Sequence, residues 1–168
     1  LADDVASFGG RVDKVIGDAM LALFGAPVAH GDDPERAVRA ALRMQGSVAA
    51  HAEVTGVELR LRIGVNTGEV VVGRMTGESS VTAMGDVVNT ASRLQGLAEP
   101  GAVLVGPATH HATSEVIAYE FLGPLRVRGR DGEVPAWRAL RPVGAPGRRR
   151  SGSSTRLVGR DDEFRVLR

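Results

Sequence analysis

Two short apolar runs near the start of the chain flank a Gly-Asp pair. The first run covers Arg11 to Ile16 and the second covers Ala19 to Phe24. Apolar runs joined by two turn-forming residues are typical of a β-hairpin. The pattern therefore predicts a hairpin with Gly17 and Asp18 at its turn.

An amphipathic helix is predicted after a loop rich in small residues. Apolar residues recur every three or four positions from Ala37 to Val48, which is the repeat of a helix. Pro34 suits the first helical turn, and Asp32 or Asp33 could cap it. We expect this helix to end near Gly56.

The rest of the chain alternates between short strands and helices. Apolar residues alternate with arginine from Leu59 to Ile63, as in a half-buried strand. A second helix is predicted from Gly85 to about Leu97, where a Pro-Gly pair ends it. Further strands are predicted at 70–72, 81–84, 102–105, 119–127 and 134–140, and a short helix at 107–113. Strands and helices mixed with hairpin-type connections predict an α+β fold, an α/β sandwich with a mostly antiparallel sheet and flanking helices.

The composition is that of an ordinary globular domain. The chain has 168 residues, of which 43% are hydrophobic and 24% charged, and its net charge is +1. This balance gives no reason to expect a nucleic-acid partner. The absence of cysteine excludes disulfides, thiolate zinc sites and cysteine nucleophiles, and it suits a reducing, cytoplasmic location. No apolar run of 18 residues is present, so we predict no membrane segment in the chain.

The domain organisation is predicted from a change in composition after Leu140. Residues 141–156 are rich in Gly, Pro, Ser and Arg, which predicts a flexible linker. Residues 157–168 regain apolar positions and are expected to begin a further domain. The main domain is therefore assigned to residues 1–140. Because the first residue is Leu1 and not Met, we expect the chain to start inside a longer protein.

Polar residues that could carry chemistry cluster in three segments. Lys14 and Asp18 lie near the tip of the predicted hairpin, where a cation and a carboxylate could hold a nucleotide and a hard metal ion. Asn89 and Arg93 are four apart on a predicted helix and so share a face. Taken alone, each pair is also consistent with an ordinary solvated surface.

The third segment lies late in the chain and is strongly basic. Three arginines alternate with other residues before a Gly-containing turn, at positions Arg126, Arg128 and Arg130. Alternation places them on one face of a strand, where they could bind phosphate or block strand pairing at an edge. The four histidines show no metal-binding spacing and are expected at the surface: His30, His51, His110 and His111.

Five segments in series resemble the catalytic domains of class III adenylate and guanylate cyclases. They run in order from about Gly9 to Leu140: FGGRVDKVIGDAMLALFG, HGDDPERAVRAALRMQ, LRLRIGVNTGEVVVG, VTAMGDVVNTASRLQGLAEPG and LGPLRVRGRDGEVPAWRAL. The resemblance implies a cyclase fold with a ferredoxin-like core. It also implies a dimer with active sites between subunits, ATP converted to cyclic AMP and pyrophosphate, and a role in signal transduction.

The resemblance also implies roles for individual residues. Lys14 and Thr82 correspond to the positions that read the purine. Asn89 and Arg93 correspond to the residues that orient the ribose and stabilise the transition state. Arg128 corresponds to a residue that binds the terminal phosphates.

The metal site implied by the resemblance takes two divalent ions, Mg²⁺ or Mn²⁺, with Asp18 as a ligand. Members of the family carry another metal aspartate on an opening strand well before this turn, whereas only 17 residues precede Asp18. We therefore expect the domain to lack its first strand and helix, and the 168-residue chain alone to be inactive and poorly stable.

Two alternative functions are also consistent with the sequence. Many adenylate cyclases pair the purine-reading lysine with aspartate, whereas Thr82 stands here, so a guanylate cyclase is possible. A non-catalytic regulatory or dimerisation module with the same fold is the other alternative. Separately, the segment LVGRDDEF resembles the entry to an ATPase module of the AAA or NB-ARC type.

Overall fold

The computed structural model describes residues 1–74, 81–126 and 133–146 of the chain. Its elements in order are α1 (Ala2–Ser7), β1 (Arg11–Ile16), β2 (Ala19–Leu23), α2 (Asp33–Thr55), β3 (Ile63–Val65), β4 (Val71–Arg74), β5 (Val81–Met84), α3 (Asp86–Leu97), β6 (Val103–Val105), α4 (Pro107–Thr113), β7 (Ile117–Arg126) and β8 (Glu133–Pro142). None of the helices in these ranges has the length and apolar character needed to span a membrane.

The strands form a mostly antiparallel arrangement, as predicted. Four strands make one sheet in the order β3-β6-β8-β7, in which only the β3–β6 pair is parallel. The hairpin β1–β2 and the ribbon β4–β5 are each antiparallel. Together with the packed helices, this is the α+β architecture expected from the sequence.

The core lies where α2 covers the four-stranded sheet. Val38 and Ala41 of α2 pack with Val103 and Val105 of β6 and with Ile117 of β7. All five side chains are almost completely removed from solvent. Burying a side chain of valine or isoleucine size contributes roughly 1.5–3 kcal/mol, so this layer is the main support of the fold.

The second long element, α3, packs directly on β3. Gly64 allows this close approach, because a Cβ there would overlap the carbonyl of Ala91 and lie 2.5 Å from the backbone nitrogen of Gln95. Leu94 is completely buried beside Leu104. The position of α3 is therefore fixed against the sheet along its inner face.

Two details of the predicted elements were wrong. The alternating stretch before Ile63 does not form a strand; Leu59 is half exposed, and β3 starts only at Ile63. The side chain of Asp32 makes no capping hydrogen bond to α2. Instead, Asp33 accepts a 2.5 Å hydrogen bond from the backbone of His30. Tertiary packing, and not alternation alone, decides where β3 begins.

His110 was expected at the surface, but it is packed among aromatic rings. Its imidazole stacks on Trp137 with ring centroids 4.2 Å apart and meets Tyr119 edge-on at 5.0 Å. The phenol of Tyr119 is 2.5 Å from the hydroxyl of Thr113, which is buried. Burial raises the pKa of Tyr119 to about 12, and the hydrogen bond with Thr113 opposes the rise.

Residues 147–168 lie outside the described part of the chain. The linker predicted at 141–156 overlaps β8, which continues through Pro142. The further domain proposed for 157–168 and its resemblance to an ATPase module stay predictions.

Candidate functional site

The hairpin β1–β2 carries the first two candidate residues. Lys14 lies opposite Leu21 in the register, directly after a bulge between Val12 and Lys14. The side chain of Asp13 is fully buried, and its carboxylate is 3.4 Å from the guanidinium of Arg11. Bulges re-aim the side chains that follow them. The bulge therefore sets the direction of Lys14, which is half buried.

Asp18 lies in the turn at the tip of the hairpin and is exposed. Gly17, just before it, has φ of +61°, a left-handed conformation that glycine adopts without strain. This turn chemistry presents the Asp18 carboxylate to solvent and to any ligand at the tip. The neighbouring Val15 and Ile16 are 67% and 64% exposed, which is unusual for large apolar side chains.

Thr82 lies in β5, where its backbone is opposite Gly73 of β4. Strands β1 and β5 are in contact, although they belong to different strand pairs. The fold thus brings the strand of Lys14 next to the strand of Thr82. The sequence placed these two residues about 70 positions apart with no local signal for their proximity.

Asn89 lies in the first half of α3 and Arg93 in the second half. Asn89 is exposed and Arg93 is half buried, whereas Thr90 and Leu94 between and after them are buried. The spacing of four therefore places both candidates on the side of the helix away from the core, as predicted. Asp86 at the first position of the same helix is also exposed.

A cavity of about 570 Å³ separates the hairpin from α3. Its walls include Met20 and Leu21 from β2 and Val87 and Ala91 from α3, and they are mainly apolar. None of the candidate residues that the structure describes lines this cavity. Strand β5, which carries Thr82, contacts both β1 and α3, the elements that carry the other described candidates apart from Asp18 in the hairpin turn.

Arg128 lies outside the described residues, just past the end of β7 at Arg126. Its assignment as a phosphate-binding residue stays a prediction.

Sequence reasoning missed the loop after β3 as part of the site's support. Asn66 donates a 3.3 Å hydrogen bond from Nδ2 to the carbonyl of Val87 in the first turn of α3. The signal was an Asn-Thr-Gly triplet directly after an apolar strand. Such a triplet indicates a turn, but the sequence alone does not show which helix it contacts.

The hairpin tip offers one carboxylate donor for a divalent metal ion, that of Asp18. Within the described ranges, no three His, Cys, Asp or Glu side chains come together as a metal-binding group. Asp18 nevertheless offers an accessible hard carboxylate. Because Mg²⁺ is usually held by one or two carboxylates together with substrate phosphates, Asp18 fits one position of such a site.

Comparison with known proteins adds an independent line of support. The family described as "Adenylate and Guanylate cyclase catalytic domain" matches residues 6–138. "Adenylate cyclase 1" of Rhizobium meliloti is 34% identical over 134 residues, which cover 75% of this chain and 20% of that protein. The chain thus spans about a fifth of the length of this relative.

Solved structures of the same kind share the fold. The adenylyl cyclase CyaB from P. aeruginosa superimposes with a TM-score of 0.76 at 27% identity, over 82% of this chain and 75% of that one. The guanylate cyclase domain of RhGC from Catenaria anguillulae, in complex with GTP, gives a TM-score of 0.77 at 27% identity, over 83% and 77%. The solved structures that resemble this chain thus include both an adenylyl cyclase and a guanylate cyclase domain.

Proposed function

Because this chain belongs to the adenylate and guanylate cyclase catalytic domain family, we propose that it converts ATP to cyclic AMP and pyrophosphate. The observation that carries the proposal is the contact between β1 and β5. Lys14 and Thr82 lie on these two strands, and both are proposed to read the purine. The pairing of a cation with a hydroxyl favours ATP, since a hydroxyl can accept a hydrogen bond from the adenine amine.

The reaction is an intramolecular phosphoryl transfer. The ribose 3′ oxygen forms a bond to the α-phosphorus and gives up its proton, while the bond from the α-phosphorus to the bridging oxygen of the β-phosphate breaks. Pyrophosphate leaves with the electron pair of that bond. Such reactions depend mainly on positioning and charge stabilisation, which polar side chains can supply without a covalent intermediate.

Residues on α3 would serve the reacting groups. Asn89 is an exposed amide that can hydrogen-bond to the ribose and orient its 3′ hydroxyl. Arg93, four residues later, can donate to the phosphate oxygens where charge develops. Arg128 is proposed to bind the terminal phosphates.

Asp18 would hold Mg²⁺ or Mn²⁺ at the tip of the hairpin, with the remaining ligands from the triphosphate and from a second carboxylate. A bound ion of this kind lowers the pKa of a coordinated hydroxyl and neutralises phosphate charge. The exposed turn suits this role, because the carboxylate of Asp18 is accessible to a charged ligand without moving the core.

The active unit is proposed to be a homodimer. The resemblance of the sequence to class III cyclases supports this proposal, because it implies active sites between subunits. Val15 and Ile16, next to Lys14 in the chain, are exposed apolar side chains that a second copy could cover. A cytoplasmic location and the inactivity of residues 1–168 on their own stay predictions.

The test is a comparison of kcat/KM for ATP and GTP in the intact protein with Mn²⁺. We expect a preference for ATP, with cyclic AMP and pyrophosphate formed in equal amounts. Thr82→Val keeps the size of the side chain but removes its hydroxyl, and it should reduce the preference. A preference for GTP would instead identify a guanylate cyclase, and equal values would overturn the proposed preference for ATP. No cyclic product from either nucleotide would favour a non-catalytic module.

A further inference from the structure

The loop that follows β3 contacts the first turn of α3 through two of its residues. Asn66 donates from its side-chain amide to the carbonyl of Val87 at 3.3 Å. Gly68 lies so close to Val87 that a Cβ on the glycine would be 2.7 Å from Cγ2 of the valine. We call residues 66–68 the α3 clasp. Its two contacts meet at one residue of the helix, Val87.

The clasp is itself anchored to a rigid part of the domain. The hydroxyl of Thr67 is 2.9 Å from that of Thr109 in α4, which is completely buried. The amide oxygen of Asn66 packs against Gly106, where a Cβ would overlap it. Because α4 and the end of β6 are fixed in the core, the clasp has little freedom to move away from α3.

Val87 is only two residues before Asn89 on the same helix. A helix rises 1.5 Å per residue, so the clasp acts within about 3 Å of Asn89 along the helix axis. A displacement of about 1 Å in a group that orients a substrate can reduce the rate of reaction by roughly a hundredfold. A shift of the first turn of α3 along its axis, or a rotation about it, would therefore move the side-chain amide of Asn89 relative to a bound nucleotide.

We propose that Asn66 is a positioning residue that fixes Asn89 through its hydrogen bond to Val87. This proposal rests on the proposed function, in which Asn89 orients the ribose. Asn66 touches neither substrate nor metal. Its effect is to hold the helix so that the exposed amide of Asn89 keeps one orientation toward the nucleotide.

The experiment compares two isosteric substitutions in the clasp of the intact protein. Asn66→Asp keeps the shape of the side chain but replaces the amide donor with an acceptor that repels the Val87 carbonyl. Thr67→Val removes a hydrogen bond of similar kind on the α4 side. Each variant loses one hydrogen bond that is at least half buried. Only Asn66→Asp loses a direct hydrogen bond to α3.

We expect Asn66→Asp to lower kcat by at least about tenfold while KM changes by less than about twofold, and Thr67→Val to lower kcat much less. Amide hydrogen exchange at Asn89 and Thr90 should be faster in Asn66→Asp than in Thr67→Val. If Asn66→Asp does not fold, Asn66→Ala removes the donor without adding a charge. Equal effects of the two clasp variants on kcat would overturn the proposal, because they would show only a general loss of stability.

Amide hydrogen exchange can be measured whether or not the protein is an active cyclase, so it tests the role of Asn66 independently of the proposed reaction. If the unsubstituted protein forms no cyclic nucleotide, the proposed function fails, and exchange alone decides the role of Asn66. Faster exchange confined to the first turn of α3 would then support its hold on the helix. Unchanged exchange in Asn66→Asp would overturn it, whatever the activity of the protein.

Discussion

The guanidinium of Arg39 donates a 2.6 Å hydrogen bond to the carbonyl of Gly144, a residue 105 positions later in the chain. The same side chain donates from Nε to the carboxylate of Glu35 at 2.7 Å. Both charged side chains are 8% exposed. A buried charge pair thus joins the middle of the fold to the segment that leaves β8.

Arg39→Met is expected to destabilise the domain by about 3 kcal/mol, because it leaves the buried charge of Glu35 without this partner. Urea unfolding of the variant and of the unsubstituted protein would measure the change. Arg43→Met on the same helix is the matched control. The side chain of Arg43 is 70% exposed and lies 3.6 Å from Asp4, so its loss should cost less than about 1 kcal/mol.

Combining Glu35→Leu with Arg39→Met should recover part of the lost stability, since both buried charges are then removed. If Arg39→Met costs no more than Arg43→Met, the buried pair does not support the fold.

Asp18→Ala should abolish turnover in the intact protein without changing its unfolding transition. The residue is exposed in a turn, so its removal opens no cavity, whereas the proposed metal site loses a ligand. Residual activity should be below a tenth, which corresponds to a barrier increase of more than ~1.4 kcal/mol. Glu53→Ala, at an exposed position near the end of α2, is the control for loss of one carboxylate and should keep full activity.

Asn89→Ala and Arg93→Ala should each lower kcat much more than they raise KM. Both side chains are proposed to act mainly in the transition state, and losses of that kind appear in kcat. Steady-state kinetics on the intact protein would separate the two parameters. A change confined to KM would show that the two residues only bind the ground state of the substrate.

The stability of the domain should fall with decreasing pH partly through His110. Burial, and to a smaller extent the charge of His111, lowers the pKa of His110 below its ordinary value of 6.5. The unfolded state therefore binds the proton more readily than the folded state. The stabilising effect of the neutral imidazole is fully present above pH 6.5 and is lost as pH falls through the lower pKa of the folded state.

Fluorescence of Trp137, the only tryptophan, can report this titration, because a protonated imidazole stacked at 4.2 Å should quench the indole. We expect a midpoint below pH 6.5 that disappears in His110→Gln and persists in His51→Gln. A midpoint at or above 6.5 would mean that attraction between the imidazolium and the indole outweighs burial.

Local signals in the sequence predicted much of the fold. The hairpin was expected from its Gly-Asp turn, and α4 from Pro107 to Thr113 was predicted with the observed bounds. The helix α3 followed from its periodicity and its Pro-Gly stop. These features depend on residues close together in the chain, which is why pattern alone predicts them.

The structural features that the sequence did not predict depend on contacts between segments that are distant in the chain. The bulge at Asp13 is a property of how β1 pairs with β2, and the packing of His110 depends on Trp137, 27 positions later. For the candidate site, the shared face of Asn89 and Arg93 could be predicted from their spacing. The contact of β1 with β5 and the hydrogen bond from Asn66 to Val87 could not, because no local pattern encodes them.

The central place of β8 in the four-stranded sheet has a consequence for synthesis of the protein. β8 (Glu133–Pro142) lies between β6 and β7, so each of these two strands pairs with β8 and not with the other. Chains emerge from the ribosome at about 5–20 residues per second, N-terminal segments first. The edge of β6 that pairs with β8 must therefore keep its backbone groups unpaired until residues 133–142 have left the tunnel. A ribosome stalled before residue 133 should therefore present a sheet in which the edges of β6 and β7 are open to pairing with other chains.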